Sequence, residues 1–345
     1  MLAAVVAAAL VVWPWQGETD SVGTVEDLEA WILAHPDQAS LAVLEGDAVR
    51  LAHRADQPRA IAGLTGLLLA AEYARQAEAG LDTTYQVAAS SLERLRLPGA
   101  ESYAQAPRPL ALPGLVRAAV RGDRPAADEL LRVLGREGVE STPEWLRLSG
   151  VDAPLPVGGL LLAWAPAQHA EGTTPAQQTA RFSRLPRAAQ RDSAFARAQA
   201  YQRSPALRAG DRSRLLSDGL GLTVAETWEA AVASFPRGTA QAYGELLVRA
   251  SRGRLGSPSV SARVRGALRG GDGAARTASG AAVGLAGSAA LGVRGGQPVV
   301  SVLLLEGLPV DPEAQDRHAR LAADRAAHWA AAPESAEAFW SQVNS

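Results

Sequence analysis

The stretch Ala60–Gln76, AIAGLTGLLLAAEYARQ, decides how the rest of this chain is interpreted. Its apolar residues continue almost all the way around the helix, which is typical of a buried helix. A glycine inside a helix costs roughly 1 kcal/mol relative to alanine. Gly63 and Gly66 nevertheless stand three residues apart where this helix begins, so the rest of the sequence has to explain them.

Strands are predicted immediately before this helix. The segment SLAVLEGDAVRLAHRADQP, residues 40–58, contains two β-rich runs, Leu41–Leu44 and Ala48–His53, around a short turn at Gly46. A helix over Thr24–Ala34 precedes this hairpin.

Strand patterns return near the end of the chain. The segments ARTASG at 275–280 and SAALGVRGGQPVVSVLLLEG at 288–307 predict about three strands, with a turn at Gly295 and Gly296. A last helix is predicted from Asp311 to about Ala331.

The residues between these two ends, from about 98 to 268, are mostly helical in pattern. The clearest helix is GDRPAADELLRVLG, residues 122–135, in which Asp123 is placed to cap the start and Gly135 to end the helix. Because strands from both chain ends must share one sheet, we predict an α+β fold. It has an antiparallel sheet flanked by N- and C-terminal helices and an inserted all-helical lobe.

The domain boundaries follow from this order of elements. We expect a linker at 16–23, one two-lobed domain at 24–332 and a C-terminal tail at 333–345. Within the domain, the α/β lobe takes residues 24–59 and 271–332, and the helical lobe takes residues 60–270.

The composition excludes several classes of function. The 345 residues are 47% hydrophobic with a formal net charge of −2, which favours a well-buried core and argues against nucleic acid as a partner. Cysteine is absent, which excludes disulfides, thiol catalysis and zinc–thiolate sites. All 34 basic residues are arginine. Because arginine stays protonated, a mechanism with a lysine base is excluded too.

The N-terminus predicts export from the cytoplasm. An apolar run, Leu2–Val12, is followed by Trp13-Pro14-Trp15, and its length suits a signal peptide or an uncleaved anchor over 1–15. A buried first helix or a misplaced start codon is the alternative. We therefore expect an extracytoplasmic protein that contacts a membrane only through this segment.

Five segments of the chain, in their order, carry a family resemblance: AHRADQP (52–58), the helix of 60–76, the helix that begins at GDR (122–124), GTAQAYGELLVRASRGRLGSPSVSARVRGALR (238–269) and GGQPVVSVLLL (295–305). Together they resemble the class A β-lactamase and penicillin-binding serine hydrolases, from about Thr24 to Ala331. The resemblance implies the β-lactamase/DD-peptidase-like fold and a cofactor-free serine hydrolase chemistry.

The resemblance also implies where catalytic residues would lie. The family motifs are S-x-x-K, S-D-N and K-T-G, and here they fall on Gly63-Leu64-Thr65-Gly66, Gly122-Asp123-Arg124 and Ala278-Ser279-Gly280. The nucleophilic serine and both lysines are missing. The acidic residue that many class A members keep after the second motif has no match in PLPVGG, residues 154–159; Glu144 is the nearest acid.

These departures predict a protein without the parent chemistry, acting as a cell-envelope binding or scaffold module. The alternative is a hydrolase on β-lactam or peptidoglycan-like amides that uses Thr65, Ser279 or another hydroxyl as its nucleophile, although neither Thr65 nor Ser279 has an evident base. A third possibility is a gene that drifts without function. The glycines have two interpretations as well. Either the cleft was opened so that a ligand can approach a helix N-terminus, or a catalytic pocket decayed to small residues.

Histidines and arginines complete the candidates. The five histidines are dispersed without the spacing of a catalytic triad or metal site: His35, His53, His169, His318 and His328. Residues 179–216 hold nine arginines against two acids, with Phe182, Phe195 and Tyr201 between them. This segment predicts a basic surface for an anionic envelope polymer or an acidic protein, with solvated helix faces as the alternative. A peptidoglycan-like peptide in the old cleft is the other expected ligand.

Overall fold

The computed structural model describes residues 22–89, 91, 109–164, 173–204, 221–270, 275–309 and 314–343. The predicted signal peptide or anchor at 1–15 and most of the predicted linker lie outside these residues. Within them, no helix is long and apolar enough to cross a membrane.

The described strands are β1 Ala39–Glu45, β2 Ala48–His53, β3 Arg59–Ala60, β4 Gln86–Val87, β5 Leu110–Ala111, β6 Arg237–Gly238, β7 Arg276–Ala282, β8 Leu285–Arg294 and β9 Gln297–Glu306. The described α-helices are α1 Val25–Ala34, α2 Thr65–Glu78, α3 Leu112–Val120, α4 Arg124–Leu134, α5 Arg136–Glu140, α6 Thr142–Trp145, α7 Val157–Trp164, α8 Pro175–Ser183, α9 Arg187–Arg203, α10 Val224–Ser234, α11 Ala240–Ser251, α12 Pro258–Ala267, α13 Gln315–Ala331 and α14 Pro333–Val343. A short 3-10 turn, Pro36–Gln38, joins α1 to β1.

The main sheet has five antiparallel strands in the order β2-β1-β9-β8-β7. Strand β1 pairs with β2 on one side and with β9 on the other, so the first and last strands of the chain meet in the middle of the sheet. The β8–β9 turn contains Gly295 and Gly296, both with positive φ, which glycine adopts without steric cost. The predicted α+β fold with a shared antiparallel sheet is confirmed.

Each face of this sheet is covered by helices. On one face, α1, α13 and α14 form a core with strand residues such as Leu41 and Leu303. On the other face, α2, α11 and α12 form the largest core with residues such as Leu44 and Val302. Helix α2 is enclosed by other helices, because α3, α4 and α12 pack against it and its residues 66–74 are all buried.

Two of the predicted boundaries differ from the structure. The expected tail at 333–345 contains helix α14, whose Phe339 and Trp340 are 8% and 1% exposed within the core. Helix α11 falls inside the predicted helical lobe, yet it packs on the sheet through Gly244, where a Cβ would lie 2.5 Å from Leu44 Cδ1. The region predicted as all-helical, 60–270, also contains short strands. The pair β4–β5 lies wholly inside it, and β6 of the pair β3–β6 does too, whereas β3 begins one residue before it.

Candidate functional site

Three glycines from three separate segments meet at one point. A Cβ added to Gly63 would lie 2.2 Å from Gly280 Cα, and one added to Gly280 would lie 2.5 Å from Gly63 Cα. A Cβ on Gly122 would lie 2.7 Å from both Gly280 Cα and the Ser279 carbonyl oxygen. Real Cβ atoms are not found this close to a backbone, so none of these positions has room for a side chain. We call Gly63, Gly122 and Gly280 the glycine junction.

Gly66, the glycine inside α2, has a different neighbour. A Cβ on Gly66 would lie 2.3 Å from the carbonyl oxygen of Ala119 in α3. The backbone thus contacts β7 at Gly63, just before α2 begins, and contacts α3 at Gly66, in the first turn of α2. Because both neighbours are backbone atoms, no side-chain movement could make room at either glycine.

Ser279 faces away from the glycine junction. Successive strand residues point to opposite faces of a sheet. On β7, Ala278, Gly280 and Ala282 are buried, and Gly280 meets Gly63 before α2. Ser279 is half-buried and pairs across the ladder with Ser288, so it lies on the face that packs against α13. The Ser279 side chain and Gly63 therefore lie on opposite faces of β7.

Thr65 is the first residue of α2 and is half-buried. No described side chain forms a hydrogen bond with its hydroxyl, so no described base is placed to take its proton.

Asp123 and Arg124 hold their segment in place. The Asp123 carboxylate accepts a hydrogen bond from the Ala126 backbone N–H at 2.8 Å and caps α4, as predicted from the sequence. The Arg124 guanidinium donates to the Ala281 carbonyl at 2.6 Å and to Gln315 Oε1 at 2.8 Å. Burial lowers the pKa of Arg124, and the charges of two nearby carboxylates oppose this. Arg124 thus binds the Gly122 segment to both β7 and α13.

Asp128, on the next turn of α4, was not singled out in the sequence. Its carboxylate accepts hydrogen bonds from the backbone N–H groups of Val157 at 2.8 Å and Gly158 at 2.7 Å. Burial raises the pKa of Asp128 to about 7, although these two hydrogen bonds and the nearby Arg124 lower it. Asp128 therefore holds the backbone of the 154–159 segment in place. That segment itself contains no acidic residue.

Glu72 is the buried carboxylate of α2. It accepts hydrogen bonds from Arg75, from Gln76 at 2.7 Å and from Trp145 Nε1 at 3.1 Å. Burial alone would raise the pKa of Glu72, but these donors, Arg75 first, hold it below its ordinary value. The bond from Trp145 joins α6 to α2, and Glu144 of α6 is exposed.

The contacts that the structure gives for the described histidines are with backbone carbonyls and aromatic rings. His35 and His53 bond to the carbonyls of Trp31 at 3.0 Å and Pro36 at 2.7 Å, and His53 stacks on Trp340. His318 is buried in α13. His328 is in the last turn of α13, and His169 lies outside the described residues. In the described part of the chain, no three or more metal-ligand side chains come together.

The arginine-rich segment is described only as far as residue 204. Arg208, Arg212 and Arg214 lie beyond that point. The aromatic residues between the arginines are buried in the helical lobe, with 7%, 5% and 3% exposure for Phe182, Phe195 and Tyr201. They belong to the core rather than to a basic surface. The exposed arginines in this segment are Arg181, Arg184, Arg197 and Arg203.

The chain was compared with known proteins. No protein-family model matches it, and no curated protein matches it either. Among solved structures, it is similar to a β-lactamase from Sphaerobacter thermophilus DSM 20745, with a TM-score of 0.52, 14% sequence identity, 90% of this chain covered and 97% of that chain covered.

A second similar structure is PBP-A, with a TM-score of 0.52, 14% identity, 90% of this chain and 96% of that chain covered. A mutant of PBP-A, solved as an acyl-enzyme complex with penicillin G, gives a TM-score of 0.52, 15% identity and the same coverage of 90% and 96%. At these identities the likeness concerns architecture alone, and it extends over nearly the whole chain. The protein has the β-lactamase/penicillin-binding-protein-like fold.

Proposed function

We propose that this protein is a catalytically inactive member of its fold class that serves as a binding or scaffold module of the bacterial cell envelope. The observation that supports it most directly is the glycine junction. Acyl transfer in a serine hydrolase needs a hydroxyl, a base that activates it and a space for the scissile carbonyl beside both. At the positions that match the family motifs, the junction holds three backbone segments so close together that none of the three glycines has room for a side chain.

The remaining hydroxyls do not restore the missing chemistry. Thr65 has no described base, and Ser279 is on the other face of β7. In another serine hydrolase, loss of the nucleophile lowers turnover on the order of a million-fold. Of the two interpretations of the glycines, the contacts favour a closed site, because an opened cleft would leave free space beside Gly63.

The extracytoplasmic location belongs to the same proposal. It rests on the apolar run Leu2–Val12, which has the length of a signal-peptide core or a membrane anchor.

The decisive experiment tests acylation directly. The purified protein is incubated with a chromogenic cephalosporin and with a fluorescent penicillin, and its intact mass is measured; an active class A β-lactamase is run in parallel. We expect no hydrolysis above background and no mass increase. A covalent adduct of one penicillin that disappears in the Thr65→Ala variant would overturn the proposal and establish the hydrolase with a substitute nucleophile.

A further inference from the structure

Three arginines contact a short loop, Asp152–Ala153, that lies outside the glycine junction. Arg187 Nη1 lies 3.2 Å from Asp152 Oδ2, and the backbone N–H of Arg237 donates to the same carboxylate oxygen at 2.9 Å. Arg191 Nη2 donates to the neighbouring Ala153 carbonyl at 3.2 Å. Helix α9 and strand β6 thus bring their arginines to one loop.

Three arginines and one aspartate meet at this loop, so the charges of these four residues sum to +2. Only the Arg187 guanidinium contacts the Asp152 carboxylate; Arg237 reaches it through its backbone N–H, and Arg191 donates to the neighbouring carbonyl. The repulsion between these positive charges affects the pKa of Arg187. Burial lowers the pKa of this guanidinium and Asp152 opposes that effect, but the charges of Arg237 and Arg191 lower it further. Like charges held together in this way favour an anion that neutralises them.

Several buried donors at the cluster also lack an acceptor. Among the described residues, nothing accepts a hydrogen bond from Arg191 Nε or Arg237 Nε. The hydroxyl of Tyr243, whose ring lies against Gly238 of β6, is likewise buried without a hydrogen-bond partner. Buried polar groups are nearly always paired, and an orphaned one calls for a water or an ion.

The cluster is open to solvent on one side. The side chains of Arg187 and Asp152 are 39% and 34% exposed. Among the described residues, the guanidinium of Arg237 has no hydrogen-bond or ion-pair partner, and its Nε is buried.

We propose that Arg187, Arg191 and Arg237 form a binding site for a phosphate-bearing anion. The planar guanidinium fork matches the oxygens of a phosphate group, and a phosphate dianion carries the two charges that the cluster lacks. The site extends the proposed binding role by naming the chemistry of a ligand. It does not depend on the glycine junction, so this proposal and the inactivity proposal can fail separately.

The test is calorimetric titration of the whole protein with inorganic phosphate and with a soluble phosphodiester polymer, at low and high salt. Arg237→Gln is the informative variant, because its side chain holds no described residue in place. Arg197→Gln is the matched control, since it removes the same charge from an exposed position on α9. We expect saturable binding that weakens with salt, about tenfold weaker in Arg237→Gln and unchanged in Arg197→Gln.

Binding of phosphate alone would assign the site to a small phosphate compound, and binding of both probes would assign it to an envelope polymer; either result supports the site. The proposal is overturned if neither probe binds saturably, or if Arg197→Gln loses as much affinity as Arg237→Gln. Equal melting temperatures of the two variants show that a loss of binding is not a loss of folding.

Discussion

Gly63 is fixed by the backbone that surrounds it rather than by the helix it precedes. The helix begins at Thr65, later than the sequence predicts, so helix propensity does not act on Gly63. A Cβ there would lie 2.2 Å from Gly280 Cα, and overpacking against a backbone is destabilising.

We therefore predict that Gly63→Ala lowers the free energy of unfolding by about 2–3 kcal/mol. Gly266→Ala is the control, because Gly266 is in a helix and a Cβ there would meet nothing within 4 Å. This control should gain roughly 0.5–1 kcal/mol. Urea unfolding followed by circular dichroism measures both. Equal effects of the two substitutions would mean that the contact at Gly63 is not tight in solution.

At this scale the sequence could identify the residues but not their contacts. Gly63, Gly66 and Gly280 were singled out by the motif spacing, and Asp123 was correctly assigned as a helix cap. The approach of Gly63 to Gly280 depends on how α2 and β7 pack, which no local pattern encodes. Arg187, Arg191, Arg237 and Asp152 likewise meet only in the folded chain.

Among the elements, α7 depends on a side chain from another helix. Its first backbone N–H groups, at Val157 and Gly158, donate to Asp128 of α4, which satisfies donors that every helix start leaves unpaired. Because burial raises the pKa of Asp128 to about 7, the folded protein binds a proton that the unfolded chain releases at lower pH.

The sign of the pH dependence follows from this raised pKa. Between about pH 4 and pH 7, the native state holds more protons than the unfolded state, so stability falls as pH rises, by about 4 kcal/mol across the window. Asp128→Asn cannot titrate and should lack this part of the slope. Asp324→Asn, at an exposed position of α13, should keep it. Unfolding free energies at several pH values test this, and parallel slopes for wild type and Asp128→Asn would contradict it.

Helix α14 shows why one element was missed. A tail is predicted from the sequence at 333–345, but Ala336, Phe339 and Trp340 have the i, i+3, i+4 spacing of a helix face. The three side chains are 0%, 8% and 1% exposed. This pattern is visible in the sequence but spans only five residues, too few to predict a helix from spacing alone. The segment is helical because these side chains are buried against α13 and the sheet.

Over the whole molecule, the sheet was predictable because strand patterns at both chain ends need partners and β1 and β9 provide them for each other. The lobe boundary was not predictable, since α11 lies inside the helical block in sequence but packs on the sheet in space. The pairing of β1 with β9 also fixes the position of β7 in the sheet, and Gly280 of β7 then lies against Gly63, just before α2. The glycine junction is therefore a property of the assembled fold rather than of any one segment.

This view predicts that the missing motif residues cannot simply be put back. In Gly63→Ser combined with Gly66→Lys, the new side chains would meet the backbone of Gly280 and of Ala119. We expect the melting temperature to fall by roughly 3–8 °C, because each of the two overpacked sites costs about 1–3 kcal/mol, and no cephalosporin hydrolysis to appear. Gly114→Ser combined with Gly266→Lys is the control, since a Cβ at Gly114 has only an ordinary contact of 3.7 Å and Gly266 has open space. If the first double variant melts with the wild type and hydrolyses the cephalosporin, β7 can move away from α2, and the closed junction is then a reversible state of the protein rather than its fixed architecture.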